Sequence, residues 1–142
     1  MSDNAMVQKY DRPLGRVFEV QAEICHLHPF LSQLFPIAVV ESDTFHIFRP
    51  IPQDRTYRFV TTAPTPMPVP KGVRAAFPLE AIEGTPACIV TGEVFDDLAG
   101  YVTIFHEFVH CHQWERGEQQ LRANLALARK AKAEGDMMWE IA

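Results

Sequence analysis

The spacing of the hydrophobic residues changes twice along the chain, and these changes constrain the fold more than any other feature. Residues 14–34 have the pattern of one or two short helices, interrupted at His28-Pro29 because proline disfavours helical backbone in the residue before it. From Ile37 onward, short runs rich in Val, Ile, Thr, Phe and Tyr are bounded by turn residues, as in β-strands. After Phe95 the helical period returns. The sequence therefore predicts an α+β fold.

Five of the short runs are predicted to form a small, mostly antiparallel sheet, and Pro78 inside the fourth run favours an edge strand because proline cannot donate to a ladder. The segment 63–70 is too rich in proline for a helix or a central strand, so it is predicted to be an extended loop. The predicted strands are Ile37–Glu41, Thr44–Phe48, Tyr57–Thr62, Val73–Leu79 and Ala87–Phe95.

The C-terminal third is predicted to contain three helices. Asp96 is a candidate N-cap for the first, which runs to about Arg116 and ends at Gly117. The second covers Glu118–Ala133, and Asp136 caps a third that has barely begun when the chain ends. A chain that stops one turn into a helix is typical of a fragment, so we expect residues 1–142 to be a single domain, truncated at its C-terminus.

Composition excludes several classes of function. The net charge is −5, and no run of Lys and Arg occurs, so neither nucleic acid nor an anionic membrane surface is an expected partner. No stretch approaches the roughly 18 apolar residues of a membrane span, and the polar N-terminus does not have the pattern of a signal peptide. Cys25, Cys88 and Cys111 are odd in number and lack CxxC spacing, which favours a reducing cytoplasm.

The helix after Phe95 carries the motif HExxH. His106 and His110 are four residues apart, so both imidazoles project from one helical face and can reach a single zinc ion. Glu107 lies about 100° round the helix, where it suits a general base beside the metal. The rest of the helix is predicted to be largely buried, because its apolar residues form one continuous arc: Leu98, Tyr101, Ile104, Phe105, Phe108, Val109 and Cys111.

Three further residues of this helix are weighed as site residues. His112 lies about 200° from His110, so we expect a hydrogen-bonded core or surface histidine and no metal ligand. Cys111 points away from the histidines and is expected to be a small core residue. Trp114 shares the histidine face, where it could wall a substrate pocket or cover the end of the helix.

Catalytic zinc usually has three protein ligands and a water, so a third ligand is expected. Gln113 and Arg116 occupy the positions at which an extended HExxHxxGxxH motif would have its glycine and its histidine, which excludes that motif. The strongest candidate is Glu140, 30 positions after His110 and following a complete intervening helix. Glu134 is the alternative if the turn lies elsewhere.

An HExxH helix followed by a downstream Glu resembles the gluzincin branch of the zincin metallopeptidases, and the resemblance covers about the last third of the chain. It implies a zincin fold and a catalytic zinc ion, with Glu107 as the base and His106, His110 and Glu140 as ligands. Zincins also hold an extended peptide along an edge strand. By this resemblance, the predicted strand 73–79 or the predicted strand 87–95 could bind the peptide.

The predicted function is that of a zinc-dependent hydrolase, most simply a cytoplasmic metallopeptidase acting on a peptide or protein. Glu107 would take a proton from water and pass it to the leaving amine. The oxyanion donor is left open: Tyr101 lies on the apolar arc, whereas Tyr57 and His46 qualify only if the fold brings them to the metal.

Two alternatives stay open. The first is a non-catalytic zincin-like domain that binds zinc for structure or for a protein partner. A retained Glu107 argues against it, because structural zinc needs no base. The second is a regulatory protein in which the motif is incidental. Nothing in the sequence indicates an oligomeric state.

Overall fold

The protein contains two long helices and one five-stranded sheet, so the predicted α+β class is confirmed. The structure, a computed structural model, describes the backbone of residues 3–141 and the side chains of residues 5–117, 119, 120 and 123–133. Short 3₁₀ helices occur at Cys25–Leu27, Pro29–Ser32, Glu80–Ile82 and Gly92–Asp96. The main elements are α1 (Asp3–Ile24), β1 (Ile37–Glu41), β2 (Thr44–Ile51), β3 (Thr56–Pro64), β4 (Arg74–Leu79), β5 (Thr85–Thr91) and α2 (Leu98–Ile141).

The strands lie in the order β3-β2-β1-β5-β4, with β3 and β4 at the edges. All neighbouring pairs are antiparallel except β1 and β5, which are parallel. The prediction of a mostly antiparallel sheet is therefore confirmed, and so is the edge position of the strand that contains Pro78. The other strand proposed for peptide pairing, β5, lies between β1 and β4 and has no free edge.

Helix α1 begins well before the residue at which the sequence predicts a helix. Its buried residues Met6, Tyr10, Leu14 and Val17 form one stripe three or four residues apart, and this stripe continues through Pro13. The predicted start near residue 14 is wrong, because the helical spacing of apolar residues already begins at Met6. The predicted interruption at His28-Pro29 is confirmed, since His28 has extended backbone between two 3₁₀ helices.

Each face of the sheet is covered differently. Both helices pack on one face, where their buried residues meet Ile37, Val39, Cys88 and Val90 in a single core cluster. The other face carries a smaller cluster that includes Val40, Ile47 and Ile89 and is covered by loops and the 3₁₀ helix Glu80–Ile82. The HExxH motif belongs to the helical face, above β4 and β5, with which α2 makes its strand contacts.

Helix α2 is a single helix of 44 residues, so the three predicted C-terminal helices are wrong. Gly117 does not end it, because glycine in a helix interior costs only about 1 kcal/mol and the flanking residues are strong helix formers. The predicted cap is displaced by one residue: Asp97, not Asp96, accepts a hydrogen bond from the Gly100 backbone N–H at 2.9 Å.

None of the described helices combines the length and the apolar composition that crossing a membrane would require.

Candidate metal centre

The first half of α2 is held against the sheet by one apolar stripe, as predicted from the helical period. Tyr101, Ile104, Phe105, Phe108 and Cys111 are all buried in the core between the helices and the sheet. Leu98 departs from the prediction because it is 58% exposed at the first turn of the helix. The stripe fixes the rotation of α2 about its axis, and this rotation decides which way the motif residues point.

His106 and His110 meet on one side of the helix. Their Nε2 atoms are 3.2 Å apart, and the two rings are nearly perpendicular, with centroids separated by 4.7 Å. Two nitrogen ligands of one tetrahedral zinc, each at about 2.05 Å, are separated by about 3.3 Å. The spacing of the two ring nitrogens therefore fits a shared zinc ion.

Gln113 fixes the orientation of one of the two rings. Its side-chain Oε1 lies 2.8 Å from Nδ1 of His110, three residues earlier on the same helix. Because an amide oxygen only accepts, this contact favours the tautomer in which Nδ1 of His110 carries the proton and donates it. The lone pair of His110 is then on Nε2, the atom that faces His106. Gln113 thus prepares His110 as a ligand through Nε2.

Glu107 lies behind the histidines and is only 7% exposed. One of its carboxylate oxygens and one nitrogen of each histidine ring lie within 4.8 Å of one another. Among the described residues, no hydrogen bond or ion pair to this carboxylate is found. The carboxylate oxygens keep some contact with solvent, and a metal ion held by the adjacent imidazoles would place a cation beside this largely buried group.

Two buried thiols lie close enough to Glu107 to respond to its charge. Burial raises the pKa of Cys111 to about 12, and the carboxylates of Glu107 and Glu115 add to the shift. Burial likewise raises the pKa of Cys88 on β5, with Cys111 and Glu107 contributing. Both thiols therefore stay protonated and add no charge to the core beside α2. The prediction that Cys111 is a small core residue is confirmed.

The structure assigns clear roles to the other two candidates on the helix. Nε2 of His112 lies 3.0 Å from the carbonyl oxygen of Phe30, and the ring stacks on that phenylalanine at 4.9 Å, so the prediction of a hydrogen-bonded histidine is confirmed. Trp114 donates its indole N–H to the carbonyl oxygen of Ala76 at 2.7 Å while remaining 48% exposed. It therefore links the histidine face of α2 to strand β4.

The three residues considered as oxyanion donors are engaged or distant. The hydroxyl of Tyr57 donates to the Phe35 carbonyl at 2.9 Å, and the hydroxyl of Tyr101 donates to the Pro13 carbonyl at 2.9 Å. His46 belongs to β2, two positions from β5 in the strand order, whereas the motif lies above β4 and β5. The two hydroxyls are thus bonded to backbone carbonyls, and β2 is not among the strands on which α2 mainly packs.

The side chain of Glu140 lies outside the described residues, as does that of Glu134, so their assignment as ligands stays a prediction. The prediction of Glu140 as a ligand required the chain to turn back after the second C-terminal helix. This turn is wrong, because α2 continues from Leu98 to Ile141 without a break. Thirty residues of continuous helix span about 45 Å along the axis. Within the helix as it stands, Glu140 is therefore remote from His110.

Two residues of the site were not identified as such from the sequence. In the sequence, Gln113 matters only because it occupies the glycine position of the extended motif. A glutamine three residues after a ligand histidine is nevertheless a signal for a hydrogen bond to the ring. The position of Cys88 beneath Glu107 depends on the pairing of distant strands, and no local signal indicates it.

Comparison with protein-family models, with curated proteins and with solved structures finds no match to this chain. The candidate centre therefore depends on its own geometry: two imidazoles at the spacing of zinc ligands, one of them oriented by an amide, and a buried carboxylate beside them.

Proposed function

We propose that this protein is a zinc-dependent hydrolase of the zincin type that cleaves peptide bonds. His106 and His110 hold the metal, and Glu107 is the general base. The observation that carries the proposal is the 3.2 Å separation of the two Nε2 atoms, with a carboxylate oxygen of Glu107 within 4.8 Å of the ligand atoms.

The proposed roles of the three motif residues follow from their exposure. His106 is exposed and His110 is partly buried, so a metal between them is open to substrate from solvent. When bound, zinc supplies a Lewis acid and lowers the pKa of coordinated water toward neutrality. Glu107, which is buried beside the histidines, takes the proton from the attacking water and returns it to the leaving amine. Glu107 is the carboxylate of the His106–Glu107–His110 group, and the nearby thiols of Cys88 and Cys111 stay uncharged.

Two imidazoles leave further positions on a tetrahedral metal for a third ligand and a water. Glu140 is retained as the proposed third ligand, and its support is the resemblance to gluzincins alone. Because α2 is continuous and Glu140 lies about 45 Å along it from His110, another carboxylate or a water would have to complete the site in this helix.

The proposal is tested by replacing Glu107 with glutamine in the zinc-loaded protein. We measure bound zinc by elemental analysis and hydrolysis with a library of internally quenched peptides. Glu107→Gln should keep the metal and lower the rate about 10²–10⁴-fold, because one general base is removed. His110→Ala should lose the metal.

Glu115→Gln is the matched control, since Glu115 is a partly buried glutamate of the same helix outside the motif. It should retain both metal and rate. Wild-type protein that binds no zinc at micromolar concentration would contradict the proposal. A Glu107→Gln variant with undiminished hydrolysis would do the same, and zinc binding without any hydrolysis would favour a non-catalytic zinc domain.

A further inference from the structure

The strand pairing shows which residues of the edge strand β4 point their backbone N–H and C=O away from the sheet. The N–H of Cys88 on β5 donates to the Pro36 carbonyl at 2.9 Å, toward the β1 side of the sheet. Cys88 faces Ala76 across the antiparallel β4–β5 pair. Since Cys88 directs its backbone groups to β1, this is a non-hydrogen-bonded pair, and the N–H and C=O of Ala76 point away from the sheet.

The same alternation places Arg74 and Pro78 with their backbone groups facing outward. Pro78 lies opposite Pro86, and both prolines are tolerated because neither position needs an N–H within the β4–β5 ladder. The outer edge of β4 thus offers backbone groups from three residues to an incoming strand: Arg74, Ala76 and Pro78.

Two of these three residues are closed to full pairing. The indole N–H of Trp114 occupies the carbonyl oxygen of Ala76, at 2.7 Å. Pro78 has no N–H to donate. Of the three, Arg74 alone retains both a donor and an acceptor for a peptide lying along the edge.

The closed part of the edge adjoins the candidate metal centre. Trp114 follows His110 by one helical turn and His106 by two, so all three side chains share one side of α2. Because Trp114 is 48% exposed while its N–H is bound to β4, its ring stands in solvent between the histidine face and the strand edge.

We propose that Trp114 is a specificity-determining residue that ends the peptide-binding edge of β4 at Ala76. An extended peptide bound at the metal can use both a donor and an acceptor of this edge only at Arg74, so substrates gain little from a longer extended segment. Pairing at Ala76 requires the indole to leave its carbonyl. This inference depends on the proposed function, because it places a peptide beside the metal.

The test compares two zinc-binding probes, an acetylated dipeptide hydroxamate and a tetrapeptide hydroxamate that extends it by two alanines. Their dissociation constants are measured by calorimetry on the zinc-loaded full chain. For wild type, the longer probe should bind less than 3-fold more tightly than the shorter. Trp114→Phe keeps an aromatic ring but frees the Ala76 carbonyl, so the longer probe should gain about 5–10-fold, as expected for one additional hydrogen bond.

Pro78→Ala opens the same edge without touching α2, because it restores an outward N–H. It should also raise the preference for the longer probe, by about 3–10-fold, with little change for the shorter. The inference is overturned if wild type already prefers the longer probe more than 10-fold, or if both variants leave the ratio unchanged. Failure of the short hydroxamate to bind the zinc-loaded protein would instead contradict the proposed function, and the inference with it.

Discussion

The two halves of α2 share one continuous backbone but differ in what holds them. In the half from Leu98 to Glu115, five residues are buried in the core and the motif lies on the adjoining face. In the half that follows, every described side chain from Arg116 to Ala133 is exposed. Among the described side chains, the His106–Glu107–His110 group lies in the half that the sheet holds in place.

This difference shows why the position of the motif matters. An isolated helix is marginal in water, so the exposed half depends on its local helix propensity, whereas the first half is fixed by packing. A metal site requires its ligands to be held within a few tenths of an ångström. Buried residues before, within and after the motif provide that constraint for His106 and His110: Phe105, Phe108 and Cys111.

The largest expected contrast comes from removing one large side chain from each half. Phe108 is 1% exposed and packs against Phe35 and Phe105, so Phe108→Ala should lower the free energy of unfolding by about 3–5 kcal/mol. Leu127 is 65% exposed, and Leu127→Ala should change the free energy of unfolding by less than about 0.5 kcal/mol. Urea unfolding followed by circular dichroism measures both. Similar losses would show that the second half also packs against something.

The next largest effect concerns the start of the packed half. A Cβ atom added at Gly100 would lie 1.7 Å from the carbonyl oxygen of Val94, so the helix can approach the preceding 3₁₀ segment only through a glycine. Gly100→Ala should cost about 1–3 kcal/mol of stability or more, since backbone must move. Thermal unfolding measures the change. A variant as stable as wild type would mean that α2 begins at a greater distance from Val94.

The sequence predicts the elements whose pattern is local. Four of the five strands are found within three residues of their predicted ends, because β-branched and aromatic runs bounded by turns mark them. The fifth was predicted to reach Phe95 but ends at Thr91, where the 3₁₀ helix Gly92–Asp96 begins. Gly117 is not the helix stop that the sequence predicts, because a side chain there would meet nothing and the residues around it favour a helix. The parallel pairing of β1 with β5 brings together distant segments and could not be derived from their own residues.

Some features of the candidate site can likewise be predicted from local sequence, whereas others depend on packing. The meeting of His106 and His110 follows from helical periodicity alone, and so does the exclusion of His112. The burial of Glu107 and the link from Trp114 to Ala76 depend on how α2 lies on the sheet, which the sequence of the helix does not specify.

A smaller effect sharpens the comparison within the metal centre. Gln113→Leu removes the acceptor that orients His110, so zinc should bind about 10–100-fold more weakly. Competition with a chromophoric chelator gives the affinity, and the spectrum of the cobalt-loaded protein reports a change in ligand orientation. Gln119→Leu is the matched control, because Gln119 is exposed on the same helix beyond the motif. Equal affinities of wild type and Gln113→Leu would exclude this role.

The smallest effect tests whether α2 is truly continuous between its two halves. Gly117 lies inside the helix, and a Cβ atom added there would meet nothing within 4 Å. Gly117→Ala should therefore favour the helix by about 0.5–1 kcal/mol, the opposite sign to the same change at Gly100. If the chain instead turned at this position with a left-handed glycine, alanine would be strained and destabilising. Because the exposed half can open without global unfolding, amide hydrogen exchange of residues 116–125 is the decisive measurement. Slower exchange in Gly117→Ala supports one continuous helix, and faster exchange supports a turn that could return the chain toward the histidines.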